Sequence, residues 1–270
     1  MAKGAVEPNS AESKPQKTGL PDVNPIRFHD LRDILKLGIQ DFMRAPVYGL
    51  FFGAIYAAGG LILVSSVIYL DIAWLAYPLV IGFALIGPFV ATGLYETSRK
   101  LESNAPITWQ GILATVWEQH RRELGWMAFV TLFIFWVWMY QARTLVAVFF
   151  GSKGFATIPG FLEAVFYTTN GWTFLVVGHI VGAIISLVLF TLTVVSCPLL
   201  LEREVDFVTA MITSIRAVFA SPLVMLGWGA FVVVAVIVSA IPAFLGLLVV
   251  LPVLGHATWH LYKRAVVPEE

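Results

Sequence analysis

The chain has 270 residues, 59% of them hydrophobic and 13% charged, with 17 basic and 17 acidic side chains and a formal net charge of zero. Soluble domains carry about 45–50% apolar and about 25% charged residues, so this composition excludes an ordinary soluble fold and is that of a protein dissolved in lipid. The neutral balance names no nucleic-acid partner, and a single cysteine, Cys197, excludes an internal disulfide and a cysteine metal cluster.

Residues 1–26 are rich in Pro, Ser, Lys and Glu and poor in bulky side chains. Such a segment cannot bury enough apolar surface to order itself, so a disordered tail is expected. It holds no apolar run of signal-peptide length, and no cleaved targeting sequence is read. The stretch FHDLRDILKLGIQDFM then sets Phe28, Leu31, Leu35 and Phe42 against Arg32, Lys36, Gln40 and Arg44 at helical spacing, which predicts an amphipathic helix lying in the headgroup layer.

A helix crosses the hydrocarbon core, about 30 Å thick, with about 20 apolar residues. The first such run is 46–70, with Gly49, Gly53 and Ala57 on one face as candidates for close helix packing. A second run covers 72–95. ITWQGILATVWEQHRR repeats the amphipathic pattern with Trp109, Ile112, Leu113, Val116 and Trp117, and a third span follows at 124–142. The connection 143–172 reads either as an interfacial segment or partner surface, or as a plain connector. A fourth span at 173–200 holds His179 beside Gly178, Gly182 and Ser186, small residues four apart that let a neighbouring helix approach.

VDFVTAMITSIRAVFA is the third amphipathic stretch, with Phe207, Met211, Ile215 and Phe219. The last apolar block, 222–262, is twice too long for one crossing, and SAIPAFLG divides it into spans at 222–240 and 243–262. The expected architecture is an all-α membrane protein: a six-span domain over 27–266, with six transmembrane helices in three hairpins, each hairpin preceded by an amphipathic interfacial helix, and a short tail at 267–270. Asp30, Thr108 and Asp206 are placed to cap the three amphipathic helices, and Pro46 and Pro222 each open a span sixteen residues after such a cap. The middle unit lacks that proline; the even-numbered spans share one near their inner ends, at Pro88, Pro198 and Pro252.

Lys and Arg stay on the cytoplasmic side of an inserting chain. With the N-terminus inside, fifteen basic residues fall inside, and only Arg143 and Lys153 fall outside, so both termini are expected in the cytoplasm. Trp74, Trp136, Trp138 and Trp172 then sit at outer span ends and Trp126, Trp228 and Trp259 at inner ends, as interfacial aromatic belts do.

His256 and His260, four apart, share a helical face and could grip a metal or haem iron. A second axial ligand would have to come from His179, yet His256 lies about 9 Å from the inner end of its span and His179 about 30 Å from the inner end of its own. Packing or interfacial hydrogen bonding therefore explains the pair better, and no metal or cofactor is expected. His179 is expensive in lipid and should face the bundle, either as a functional group or as a cross-helix hydrogen bond. No Asp, Glu, Lys or Arg sits mid-span, so the usual residues of ion coupling are absent. No phosphate loop or nucleophile motif occurs, and no enzymatic activity is expected.

Three stretches carry a resemblance: SIRAVFASPLVMLGWGAF, GLLVVLPVLGHATWHLYKRAV and DLRDILKLGIQDFMRAPVYGLFFGAIYAAGG. They resemble the C-terminal signature and the opening of a bacterial family of predicted integral membrane proteins of unknown function, with the middle of the chain looser. The resemblance implies a six-span protein of the bacterial inner membrane, and some relatives carry the label of a cytochrome c oxidase subunit. A catalytic oxidase subunit needs six histidines for two haems and a copper, and this chain has five, so only an accessory place beside a respiratory complex survives. The sequence thus leads to an accessory, assembly or scaffolding factor in contact with the bilayer and with other membrane proteins or a second copy. A carrier or channel for a small neutral or lipidic solute is the alternative, and a haem- or metal-binding membrane protein the third.

Overall fold

The computed structural model describes residues 19–68, 76–120, 123–151 and 158–268. The expected tail over residues 1–18, Asp71, Trp74, Arg121, Arg122 and Lys153 lie outside the described residues. The fold is all-helical, with eleven helices among the described residues and one isolated bridge between Val23 and Val266. In chain order they are α1 (Phe28–Arg44), α2 (Pro46–Ile68), α3 (Ala76–Glu102), α4 (Trp109–His120), α5 (Glu123–Phe150), α6 (Ile158–Tyr167), α7 (Thr169–Thr193), α8 (Ser196–Glu202), α9 (Phe207–Ala220), α10 (Pro222–Ala240) and α11 (Leu247–Ala265).

Four apolar stretches among the described residues are long enough to cross a bilayer: Pro46–Ser65, Glu123–Phe150, Thr169–Glu202 and Pro222–Ala240. The expected second and sixth spans are helices, α3 and α11, whose C-terminal halves turn polar, through Thr92 to Glu102 and His256 to Arg264. The expected fourth span does not run unbroken to residue 200. It leaves the helix at Val194 and Val195 and restarts as α8, where Pro198 in the first turn can donate no N–H to the preceding turn. Val195 instead donates its N–H to Ser214 of α9 at 3.2 Å. The connection after α5 is no plain connector: α6 folds back on α7, and Phe150, Phe161 and Phe174 meet edge to face.

Local sequence explains most helix ends. Asp206 accepts from the N–H groups of Val208 and Thr209 at 3.0 and 2.9 Å, and Thr108 accepts from Gly111 at 3.1 Å. Pro46 and Pro222 open α2 and α10, where a missing N–H costs nothing. Asp30 differs from expectation. It sits inside the first turn of α1, and its carboxylate accepts from the N–H of Arg27, the residue before the helix, at 2.8 Å. The turn between α10 and α11 contains Ala243 and Phe244 at φ 50° and 64°. Gly246 closes that turn because any Cβ there would lie 2.5 Å from the Ser239 carbonyl oxygen.

The helices form three units, α1–α2–α3, α4–α5–α7/α8 and α9–α10–α11, joined in a ring. The last helix of each unit packs on the first of the next: α3 on α4, α7 and α8 on α9, and α11 on α1. The closing helices α3, α8 and α11 meet one another at the centre. The buried core lies at this end of the molecule, around Leu199, Met225, Trp228, Leu254 and Trp259. At the other end packing thins. The buried residues of α5 are Leu124, Met127 and Ala128 in its first turns, and Gly171 is the only buried residue of α7.

The N-terminal segment before α1, read as part of a disordered tail, is ordered from residue 21 onward. Asn24 donates to Ala265 at 2.8 Å and Val267 to Asp22 at 2.9 Å, Ile26 donates to the Ser221 hydroxyl, and Arg216 to the Pro21 carbonyl. Pairing with residues 265–267 supplies the backbone partners that composition alone could not foretell.

Thr209 holds the Asp206 carboxyl below the usual carboxylate range, through its hydroxyl and its backbone N–H. This contribution to stability is complete above the unfolded value of about 3.9 and is lost as pH falls through the lower folded value. Asp206→Ala is expected to cost about 1 kcal/mol and to lower the melting temperature at neutral pH. The gap from wild type should shrink on acidification below pH 4, which thermal unfolding in detergent would measure.

Candidate functional site

In the ring, the closing helix of one unit should also lie against the first span of the next. Two of these three seams are closed. α3 packs along α5, and α11 packs along α2. At the second of these the approach is close enough to require glycine: a Cβ on Gly53 would stand 2.7 Å from the Leu248 carbonyl oxygen, and one on Gly49 would stand 3.2 Å from the Pro252 Cβ of α11 and overlap the Phe42 ring of α1. Ala57 is buried on the same face. The third seam, between α7 and α10, makes no comparable contact.

That open seam holds a cavity of about 700 Å³, walled by Phe174, Gly178, His179 and Ser186 of α7, Leu226, Gly229, Ala230 and Val233 of α10, and Trp138 of α5. A Cβ added to Gly178 meets nothing within 4 Å, whereas Gly182 is covered by the Trp138 indole at 3.2 Å. The row of small residues expected to admit a neighbouring helix therefore splits. Gly182 makes room for Trp138, and Gly178 and the exposed Ser186 stand on open space.

Behind Trp138, Gly182, Ser186 and Phe190, which line both spaces, lies an inner chamber of about 530 Å³. Tyr95 of α3, Thr131 of α5, Thr193 of α7, Cys197 of α8, Trp228 of α10 and Thr258 of α11 line it. Volumes of about 300–1,000 Å³, mostly apolar with a few placed polar groups, are those of small-molecule sites. Three hydroxyls are already committed. Thr131, Thr193 and Thr258 donate to the Met127, Leu189 and Leu254 carbonyls at 2.9, 2.8 and 2.8 Å.

The histidines go three ways. His179 is exposed, and its Nδ1 lies 2.7 Å from the Leu175 carbonyl oxygen of its own helix. A carbonyl only accepts, so Nδ1 is the donor of this bond. His256 is fully buried, with Nδ1 2.8 Å from the Ser98 hydroxyl of α3 and Nε2 without a hydrogen-bond partner. The His260 Nε2 lies 2.8 Å from the buried Asp41 carboxylate of α1. The His256 and His260 rings tie α11 to two different helices, and among the described residues no three His, Cys, Asp or Glu side chains gather as a metal site.

Tyr95, Thr131 and Thr193 carry no motif and were not singled out by sequence, while Trp138 read only as part of an interfacial belt and Cys197 only as a lone thiol. Residues 76–202 match a family model. Its description is predicted integral membrane protein (DUF2189). The resemblance read from the sequence, to a family of predicted integral membrane proteins of unknown function, is thereby shown. The matched segment runs from α3 through α8 and carries the α5 and α7 walls of the seam, whereas the stretches that suggested the resemblance lie on either side of it. No curated protein and no solved structure matches the chain.

The glycines separate closed from open seams in a direct way. Gly53→Ala should lower the melting temperature of the purified protein by several degrees, because backbone must move and overpacking costs about 1–3 kcal/mol. Gly178→Ala should leave it unchanged or raise it.

Proposed function

We propose that this protein is a non-enzymatic, six-span protein of the bacterial inner membrane, with cytoplasmic termini, that takes a lipidic molecule into the seam between α7 and α10. The open seam carries this reading: an apolar space of about 700 Å³ between two helices apolar enough to cross a bilayer, one of three related interfaces and the one left unfilled. In a membrane, hydrocarbon is the medium at its mouth.

The topology rests on independent support. Residues 22–24 pair with 265–267, so the two ends of the domain leave from one face, which fits an even number of crossings. The collar helices turn bulky apolar side chains outward, Phe28 on α1, Leu113 on α4 and Phe219 on α9, while small residues such as Gly38, Ala210 and Ala217 face the bundle. That arrangement suits helices embedded at the headgroup boundary.

A second reading, an accessory or scaffolding factor beside a membrane complex, is favoured by α5, whose Phe129, Phe133, Trp136 and Tyr140 are exposed along its length. Lipid covers such a face as readily as a partner does. The two readings part in one preparation. Protein purified in mild detergent should retain a lipid through extensive washing, seen by native mass spectrometry, and Gly178→Leu with Ala183→Phe, which fills the seam, should lose it. Recovery of one membrane protein in stoichiometric amount, with no retained lipid in wild type, would instead support the accessory role.

A further inference from the structure

We infer that the ligand of this crevice is an uncharged amphiphile, a long-chain or isoprenoid alcohol, with its hydroxyl head in the inner chamber beside Tyr95 and its hydrocarbon tail along the α7–α10 seam. The inference rests on the lipidic reading of the seam and specifies the chemistry of the molecule.

Charge comes first. No Asp, Glu, Lys or Arg lines the inner chamber or the outer seam, and His179, in the outer part, is the only titratable nitrogen along either. A phosphate, carboxylate or ammonium head brought inside would lose its hydration without gaining a counter-charge, a penalty of several kcal/mol per ion. Charges on two of the helices that line the chamber are already paired. Glu96 of α3 is paired to Arg99 at 2.7 Å and lies 3.6 Å from Lys100, and Lys263 of α11 is paired to Glu202 at 2.7 Å.

Hydrogen-bonding capacity then selects among neutral heads. Because Thr131, Thr193 and Thr258 have each given their proton to a carbonyl of their own helix, they can only accept from a ligand. The Tyr95 hydroxyl has no hydrogen-bond partner among the described residues and can donate. A hydroxyl head satisfies both sides, donating to a threonine oxygen and accepting from Tyr95. A ketone or ester carbonyl could accept from Tyr95 but has no proton to give the threonine oxygens.

Length follows from the walls. From Thr193 to Phe174 the crevice runs along about five turns of α7, about 28 Å at 1.5 Å per residue, close to the thickness of the hydrocarbon core. A compact solute would leave most of it empty. Trp138 stands between the two spaces and packs on Gly182, where the head would join the tail.

The test uses the full chain in nanodiscs and a photoreactive, diazirine-bearing hexadecanol analogue, with labelled peptides mapped by mass spectrometry and competition by hexadecanol or hexadecyl phosphate. Labelling is expected in α5, α7 or α10, with hexadecanol competing at a concentration at least tenfold lower than hexadecyl phosphate. Tyr95→Phe should weaken hexadecanol competition by about threefold to tenfold, the worth of one hydrogen bond, and leave that of hexadecyl phosphate unchanged. Gly178→Leu with Ala183→Phe should abolish labelling. Equal or better competition by hexadecyl phosphate would overturn the uncharged head while leaving a lipid site in place, and unchanged hexadecanol competition in Tyr95→Phe would overturn its inner placement. If labelling were absent, or unaffected by the filled seam, the lipidic reading itself would fall.

Discussion

The fold depends on how closely α1 and α2 approach α11. A Cβ on Gly38 would stand 2.7 Å from the Ala257 backbone nitrogen, and one on Gly53 the same distance from the Leu248 carbonyl oxygen. Backbone-to-backbone contact of this kind gives dispersion and shape complementarity where lipid offers no hydrophobic driving force between helices. Polar links then fix the register of α11: His260 to Asp41, Arg264 to Asp30 at 2.9 Å, and Trp259 to Glu102 at 3.2 Å. Each joins α11 to α1 or α3, and the Tyr262 hydroxyl adds a bond to Glu202 of α8. The polar half of α11 is thus spent inside the protein, which is why a helix with so many polar residues can stand at the centre of a membrane bundle.

The same contacts explain an asymmetry between the ends of the molecule. Around α11 the helices are tied by glycine contacts and buried polar pairs. Toward the far ends of α5 and α7 the ties are chiefly aromatic, among Phe149, Phe150, Phe161 and Phe174, and α7 stands away from α10 beside His179. Rigidity at one end and space at the other are what a binding crevice in a bundle requires, since the walls must keep their places when the space is filled.

Much of the plan was legible in the order of residues. The amphipathic stretches, Asp206 and Thr108 as caps, and Pro46 and Pro222 as helix openers all follow from short-range chemistry, and the structure has helices at each place. What sequence could not supply depends on contacts between distant segments. Asp30 reads as a cap by type and spacing, yet the chain begins the helix two residues earlier, and its carboxylate is shared between Arg27 and Arg264. The face of α1 that meets the bundle holds Ile34, Gly38, Asp41 and Phe42, with Leu31 and Leu35 packed at its edge; of the row Phe28, Leu31, Leu35 and Phe42 that periodicity suggested, Phe28 alone turns outward, and the small and acidic members of the buried face, Gly38 and Asp41, are set by the close crossing with α11. The break before α8 needed Ser214 to receive the freed backbone, and no local pattern announces that. The seam was invisible for the same reason: it is the absence of one helix contact where the ring provides three places for it.

The clasp of residues 22–24 on 265–267 also orders events in time. Synthesis delivers the N-terminal unit first, but the backbone surfaces of Gly38 and Gly53 find their match in α11, which follows every other helix of the ring. The partner of the tightest interface of α1 and α2, and the histidine that meets Asp41, are both supplied by α11. Closing the ring therefore joins two stretches of the sequence separated by more than two hundred residues.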